Sequence, residues 1–187
     1  MGDLEDVEII KRCQQGDGDA FCELVNRYHQ KVFWIAFQMV GNREEARDIS
    51  QEAFLRVYRA LSQFNLMSNF YTWLYRIVVN LSIDFLRKQK PGTKLVSVDE
   101  IGDISGGNPQ ENFLERQEIS KAVWEVLQEL PLPYRTILIL RDIEDFSCKE
   151  ISKILHCNSN TVRWRLFRAR QIFKNIWEKQ QIFSDQA

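Results

Sequence analysis

Asn160, Trp164, Phe167 and Arg168 are spaced so that an amide, two large aromatic rings and a guanidinium share one face of a helix. On the same stretch Val162, Leu166, Ala169 and Phe173 keep a second helical register, which commits the other face to packing. Aromatic rings turned away from a core gain nothing in water. A major groove, by contrast, offers thymine methyls to a ring and guanine O6/N7 to a guanidinium. The chemistry indicated is base reading. Upstream, Ser147 and Glu150 have capping-box spacing ahead of Ile151, Ile154 and Leu155. His156-Cys157-Asn158 reads as a turn and Ser159 as the cap of the next helix, so the segment is a predicted helix-turn-helix.

A second chemical face lies near the middle of the chain. Trp73, Arg76, Asn80 and Arg87 fall together on a helix whose Leu74, Val78, Leu81 and Phe85 form the buried stripe. Phe64, Phe70, Tyr71 and Tyr75 stand before and among them. Rings interleaved with cations suit unpaired bases, which stack on aromatic faces while arginines hold phosphates. Phe70 and Tyr75 read as core, whereas the helical phase of Trp73 sets its indole with the polar group.

Helices must position both faces, since strand signals are weak throughout. The predicted elements are a short helix over Leu4–Gln15, a second over Ala20–Val40 stopped by Gly41, a third capped by Asn42 with Glu45 and running to about Leu61, and a fourth over Phe70–Gln89. Pro91 and Gly92 end the fourth, and Gly106-Gly107-Asn108-Pro109 is a strong breaker cluster. Helices over Phe113–Leu130 and Tyr134–Asp142, then the helix-turn-helix, follow. The expected architecture is all-α: a domain over 1–90, a flexible linker over 91–112, a second domain over 113–180 and a tail over 181–187.

Charge and composition narrow the function classes. The chain has 187 residues with 25 basic and 26 acidic side chains, a balance that argues against indiscriminate binding to polyanions. Locally it is uneven: residues 147–180 carry eight bases against two acids, and residues 95–130 eight acids against two bases. An acidic middle beside a basic end fits self-masking, a basic partner or a solvated face. No apolar run approaches the roughly 20 residues of a bilayer span, and the acidic start lacks the features of an export signal. The expectation is a cytoplasmic protein with Cys13, Cys22, Cys148 and Cys157 reduced. Cys148, His156 and Cys157 match no common zinc spacing, so no metal is expected. No catalytic constellation or phosphate loop is present, which implies neither enzyme activity nor a cofactor.

Phe70-Tyr-Thr-Trp-Leu-Tyr-Arg-Ile-Val-Val-Asn80, preceded by Asp48-Ile-Ser-Gln-Glu-Ala-Phe-Leu-Arg-Val-Tyr-Arg-Ala60, resembles region 2 of the extracytoplasmic-function (group IV, sigma-70 family) sigma factors of bacterial RNA polymerase. Leu130-Pro-Leu-Pro-Tyr-Arg135 and the helix-turn-helix resemble region 4. The resemblance implies an initiation factor that binds core RNA polymerase and promoter DNA and assists melting. It implies that Asp48, Gln51, Glu52 and Leu55 contact polymerase. The loop 62–69 with Phe64, Tyr71, Trp73, Arg76, Asn80 and Arg87 would serve the −10 element, the loop capturing a flipped base. Asn160, Arg163, Trp164, Phe167 and Arg168 would serve the −35 element. An anti-sigma protein, often membrane-anchored in such families, is the implied restraint.

Asn160 stands where that family usually has glycine, and Trp164 where a small serine is common. A large indole cannot repeat a hydroxyl's short hydrogen bond and needs apolar surface instead, so the −35 sequence does not transfer from relatives. The alternative class is a helix-turn-helix repressor or activator with an N-terminal effector domain, which would dimerise on a palindrome without polymerase. A helical scaffold that engages only proteins leaves the outward Trp164-Phe167-Arg168 face unexplained.

Overall fold

The computed structural model describes residues 2–88 and 113–184, and the predicted linker over 91–112 lies outside the described residues. Eight α-helices account for most of what is described: α1 (Gly2–Gln14), α2 (Gly18–Val40), α3 (Arg43–Ala60), α4 (Phe70–Lys88), α5 (Phe113–Glu129), α6 (Leu132–Leu138), α7 (Cys148–Ile154) and α8 (Ser159–Ser184). Their ends follow local chemistry. The Asp17 carboxylate accepts from the Ala20 N–H at 3.0 Å to start α2 and is itself gripped by Arg12 at 2.8 Å. Gly41, at φ 80°, ends α2 in the left-handed conformation that costs glycine nothing, and its N–H donates to Phe37 O at 2.7 Å. Asn42 accepts from Glu44 and Glu45 N–H and starts α3 at once. Pro133 falls in the first turn of α6, where a missing N–H removes no helical bond.

Two predicted boundaries shift for physical reasons. The helix expected over 134–142 is shorter: α6 widens into a π turn over Ile139–Ile143, which closes with the Glu144 N–H on Ile139 O. Asn158, not Ser159, caps α8, since its side-chain oxygen accepts from the Thr161 N–H at 2.7 Å and from the Thr161 hydroxyl. The amide side chain, one residue earlier, reaches the N–H that the shorter serine was expected to satisfy.

The core follows the predicted stripes. Ala46, Ile49, Ala53 and Val57 of α3 are buried, as are Leu74, Val78 and Leu81 of α4 and Val162, Leu166 and Ala169 of α8; Phe85 and Phe173 are half-buried. Helices α1 to α4 form one helical region and α5 to α8 the other. The two pack together: the Phe146 ring lies 5.1 Å from Tyr71 and 5.0 Å from Tyr75, between α4 and the start of α7. The Tyr75 hydroxyl donates to Glu144 at 3.3 Å and Arg135 donates to Met39 O at 3.3 Å. Halves expected to act separately are thus in direct contact.

Candidate nucleic-acid and polymerase interface

Helix α8 presents its predicted reading face to solvent. Asn160, Arg163, Trp164, Phe167 and Arg168 are all exposed, Trp164 at 60% and Phe167 at 63%. Helix α7 holds that face in place. Ser147 and Glu150 form the full capping box, each side chain accepting from the other's backbone N–H. His156 turns the chain into α8 at φ 49°, and Arg170 is bound to Asp142 at 3.0 Å, which ties α8 to the turn after α6.

On α4 the predicted aromatic set divides between two sides. Phe64, Phe70 and Trp73 cluster on one, with the indole 4.9 Å from Phe64 and 5.7 Å from Phe70. Tyr71 and Tyr75 cluster on the other, against Phe146. Trp73 is half-buried against Phe64 and Phe70; Arg76 is half-exposed, and Asn80 and Arg87 are exposed farther along. The expectation that its phase would free the indole is corrected in part, because the loop before α4 folds Phe64 back over it. Phe64 is itself 8% exposed and belongs to the wall of a cavity rather than to the surface. Tyr71 is covered by Phe146 on one side and has Lys31 Nζ 5.4 Å from its ring centre. Burial pushes the Tyr71 and Tyr75 phenols up and pushes the Glu144 carboxyl up as well, against the pull of Tyr75 and Lys31.

The loop between α3 and α4 is hydrogen-bonded at both ends. The Gln14 amide donates to Leu61 O at 3.0 Å and to Phe64 O at 2.9 Å, and the Asn69 side chain caps α4 through the Thr72 N–H at 2.8 Å. Between these anchors the loop borders a cavity of about 210 Å³, with Phe64, Leu66 and Phe70 as apolar walls and Asp6, Ser68 and Asn69 as polar ones. Asp6 is buried and receives Arg27 at 3.0 Å and the Tyr28 hydroxyl. That buried pairing fixes α1 to α2 beside the cavity.

Helix α3 turns Asp48, Gln51 and Leu55 outward, with Glu52 half-exposed and paired to Arg56 at 2.8 Å. Leu55 is 50% exposed and Tyr58, one turn on, 63%. Tyr58 continues the outward register of α3, its ring edge-on to Phe21 at 5.0 Å. Met67, 94% exposed on the loop, carried no sequence signal. Among the described residues no cluster of three or more His, Cys, Asp or Glu could hold a metal, and no helix is long and apolar enough to cross a membrane.

Comparison with known proteins bears on both helical regions. The Sigma-70 region 2 family matches residues 24–91 and the Sigma-70 region 4 family residues 120–172. The ECF RNA polymerase sigma factor SigW of Bacillus subtilis is 37% identical over 175 residues, which span 88% of this chain and 92% of SigW. The chain belongs to the extracytoplasmic-function sigma factors. The sigma-E factor of Escherichia coli K12 is likewise 37% identical, over 181 residues covering 92% of this chain and 94% of the relative. Among solved structures, CnrH in complex with the cytosolic domain of CnrY superposes with a TM-score of 0.71 over 93% of this chain and 97% of that one, at 22% identity. The sigma factor RpoE of Bartonella quintana, solved with the anti-sigma factor NepR, gives 0.67 at 20% identity over 84% and 96%. At those identities the likeness is one of fold. This sigma factor is a transcription initiation factor, and the all-α, two-region architecture is that of its family.

Proposed function

We propose that this sigma factor gives core RNA polymerase its promoter specificity through three separate surfaces. Asp48, Gln51, Glu52 and Leu55 of α3 dock on polymerase. Asn160, Arg163, Trp164, Phe167 and Arg168 of α8 read the −35 duplex. Trp73, Arg76, Asn80 and Arg87 of α4 hold the unpaired −10 strand, with Phe64 as a wall of the cavity that takes a flipped base and Tyr71 joining once α7 has moved. The domain division over 1–90 and 113–180 gives each element its own reader. The observation that carries this reading is the exposure of Trp164 and Phe167 beside arginines on one face of α8, a surface that only a groove or a partner would make favourable.

The reaction chemistry then belongs to polymerase, and this chain is no enzyme. It acts in the cytoplasm, with polymerase and promoter DNA as partners. An anti-sigma protein, membrane-anchored or not, is the restraint, in keeping with the solved complex of RpoE with NepR. The test is fluorescence anisotropy on promoter duplex, with the chain alone and as holoenzyme. Since Tyr71 is covered and the halves are packed on each other, the free chain should bind weakly and the holoenzyme tightly. Tight sequence-specific binding by the isolated chain at physiological salt would favour a conventional repressor instead.

A further inference from the structure

Between the π turn and α7, residues 144–146 reach across to the other helical region and set an acid and a ring against α4. The Phe146 ring lies nearly parallel to Tyr71, 5.1 Å away with 20° between planes, whereas it meets Tyr75 at 59°. The Glu144 carboxylate accepts from the Tyr75 hydroxyl at 3.3 Å and feels the charge of Lys31, whose Nζ stands 5.4 Å from the Tyr71 ring centre. Hydrogen bonds hold the turn that presents both groups. The Glu144 N–H donates to Ile139 O at 3.0 Å, the Phe146 N–H to Leu140 O at 2.9 Å and Arg141 to Phe146 O at 3.0 Å, while Asp145 between them sits at φ 57°. A stacked ring beside an anion that faces a cation is what one nucleotide presents as base and phosphate. The surrounding contact is incomplete in polar terms. Where α5 and α6 meet the end of α2, Gln38 Oε1, Trp124 Nε1 and Arg135 Nε are buried with no hydrogen-bond partner among the described residues. Such atoms regain water when the surface opens, which favours parting of the two regions.

We infer that residues 144–146 are an internal stand-in for a nucleotide, filling in the closed chain a site on Lys31, Tyr71 and Tyr75 that takes a base and a phosphate of single-stranded nucleic acid once the regions part. This deepens the proposed role of Tyr71 toward the unpaired −10 strand and rests on it. Tyr71 stacks the base in place of Phe146, and Lys31 with the Tyr75 hydroxyl takes the phosphate in place of Glu144. The site lies on the other side of α4 from the Trp73 cluster, so it is a second stacking position.

The test is anisotropy of a fluorescein-labelled, unstructured single-stranded oligonucleotide on the free chain at physiological salt, with circular dichroism as the check on folding. Phe146→Leu removes the stacked ring at constant charge, and Glu144→Lys sets a like charge against Lys31. Asp19→Lys, exposed at the start of α2, is the charge-matched control. Phe146→Leu and Glu144→Lys should each tighten binding roughly three- to tenfold, since a larger share of the chain has the site open, and Asp19→Lys by no more than about twofold. Adding Tyr71→Leu or Lys31→Ala to Phe146→Leu should erase the gain. In parallel, Tyr71→Leu holoenzyme should bind fork DNA with an unpaired −10 strand more weakly than wild type. No gain from Phe146→Leu, a gain that survives Tyr71→Leu, or equal gains from Glu144→Lys and Asp19→Lys would overturn the stand-in and leave this face to contacts between protein segments, while a loss by Tyr71→Leu on fork DNA keeps the −10 role. Unchanged binding of Tyr71→Leu holoenzyme to fork DNA would remove Tyr71 from the −10 strand and the stand-in with it.

Discussion

Replacing Trp164 with alanine should weaken promoter binding without weakening the fold. An indole carries about 200–250 Å² of burial surface, so its 60% exposure leaves roughly 120–150 Å² available to a partner. Covering half to all of that at about 25 cal/mol/Å² contributes roughly 1.5–3.5 kcal/mol. Fixing the side chain costs about 1 kcal/mol of it. The net loss on truncation is then roughly 0.5–2.5 kcal/mol, about two- to seventyfold in affinity. An exposed position away from any cap should move folding stability by no more than about 0.5 kcal/mol. The assay is anisotropy of holoenzyme on −35 duplex, repeated with each thymine replaced by uracil. If the ring lies on a thymine methyl, one uracil substitution should weaken wild type and leave Trp164→Ala unchanged. Trp164→Ser should alter which −35 sequence a promoter library returns. Unchanged affinity and unchanged preference for both variants would show that this face of α8 is not in the groove.

Charge reversal at Asp48 together with Glu52 should reduce capture of core polymerase in a pull-down while the circular dichroism spectrum holds, because both lie on the outward side of α3; unchanged capture would remove α3 from the interface. Asn80→Ala and Trp73→Ala holoenzymes should form closed complexes but open the −10 region poorly by permanganate footprinting, with a pre-mismatched −10 region rescuing Trp73→Ala and not Asn80→Ala. Trp73→Ala should also lower thermal stability, since its ring packs on Phe64 and Phe70, whereas exposed Asn80 should not. Burial holds the Glu144 carboxyl above its ordinary range, so the packed state favours the protonated acid: contact between the halves is strongest below that range and weakens as pH rises through it to the raised value. Small-angle scattering from about pH 4 to 8 should show that expansion in wild type and not in Glu144→Gln; the same profile in both would remove Glu144 as its source.

What could be read from residues alone was whatever local periodicity and capping control. The capping box at Ser147 and Glu150, the Gly41 stop and the buried registers of α3, α4 and α8 are short-range features, and each stands as expected. The choice of Asn158 over Ser159 was not legible, because adjacent cap-forming residues differ only in which N–H their side chains reach. Trp73 shows a deeper limit. Helical phase fixes its direction from the axis but says nothing of a loop that returns Phe64 onto it. The contact joining Tyr75 to Glu144 spans 69 positions and pairs residues from different helical regions, so no window along the chain contains it. Met67 was invisible for the opposite reason: it satisfies no pattern at all.

The most direct test is run-off transcription with purified core polymerase on matched templates carrying an intact promoter, a replaced −35 element or a replaced −10 element. Transcripts should appear only when this chain is added to core, from a defined start site, with loss on replacing either element and −35 discrimination altered by Trp164→Ser alone. Specific initiation by core without the chain, or transcription indifferent to both elements when it is present, would contradict a role in promoter recognition.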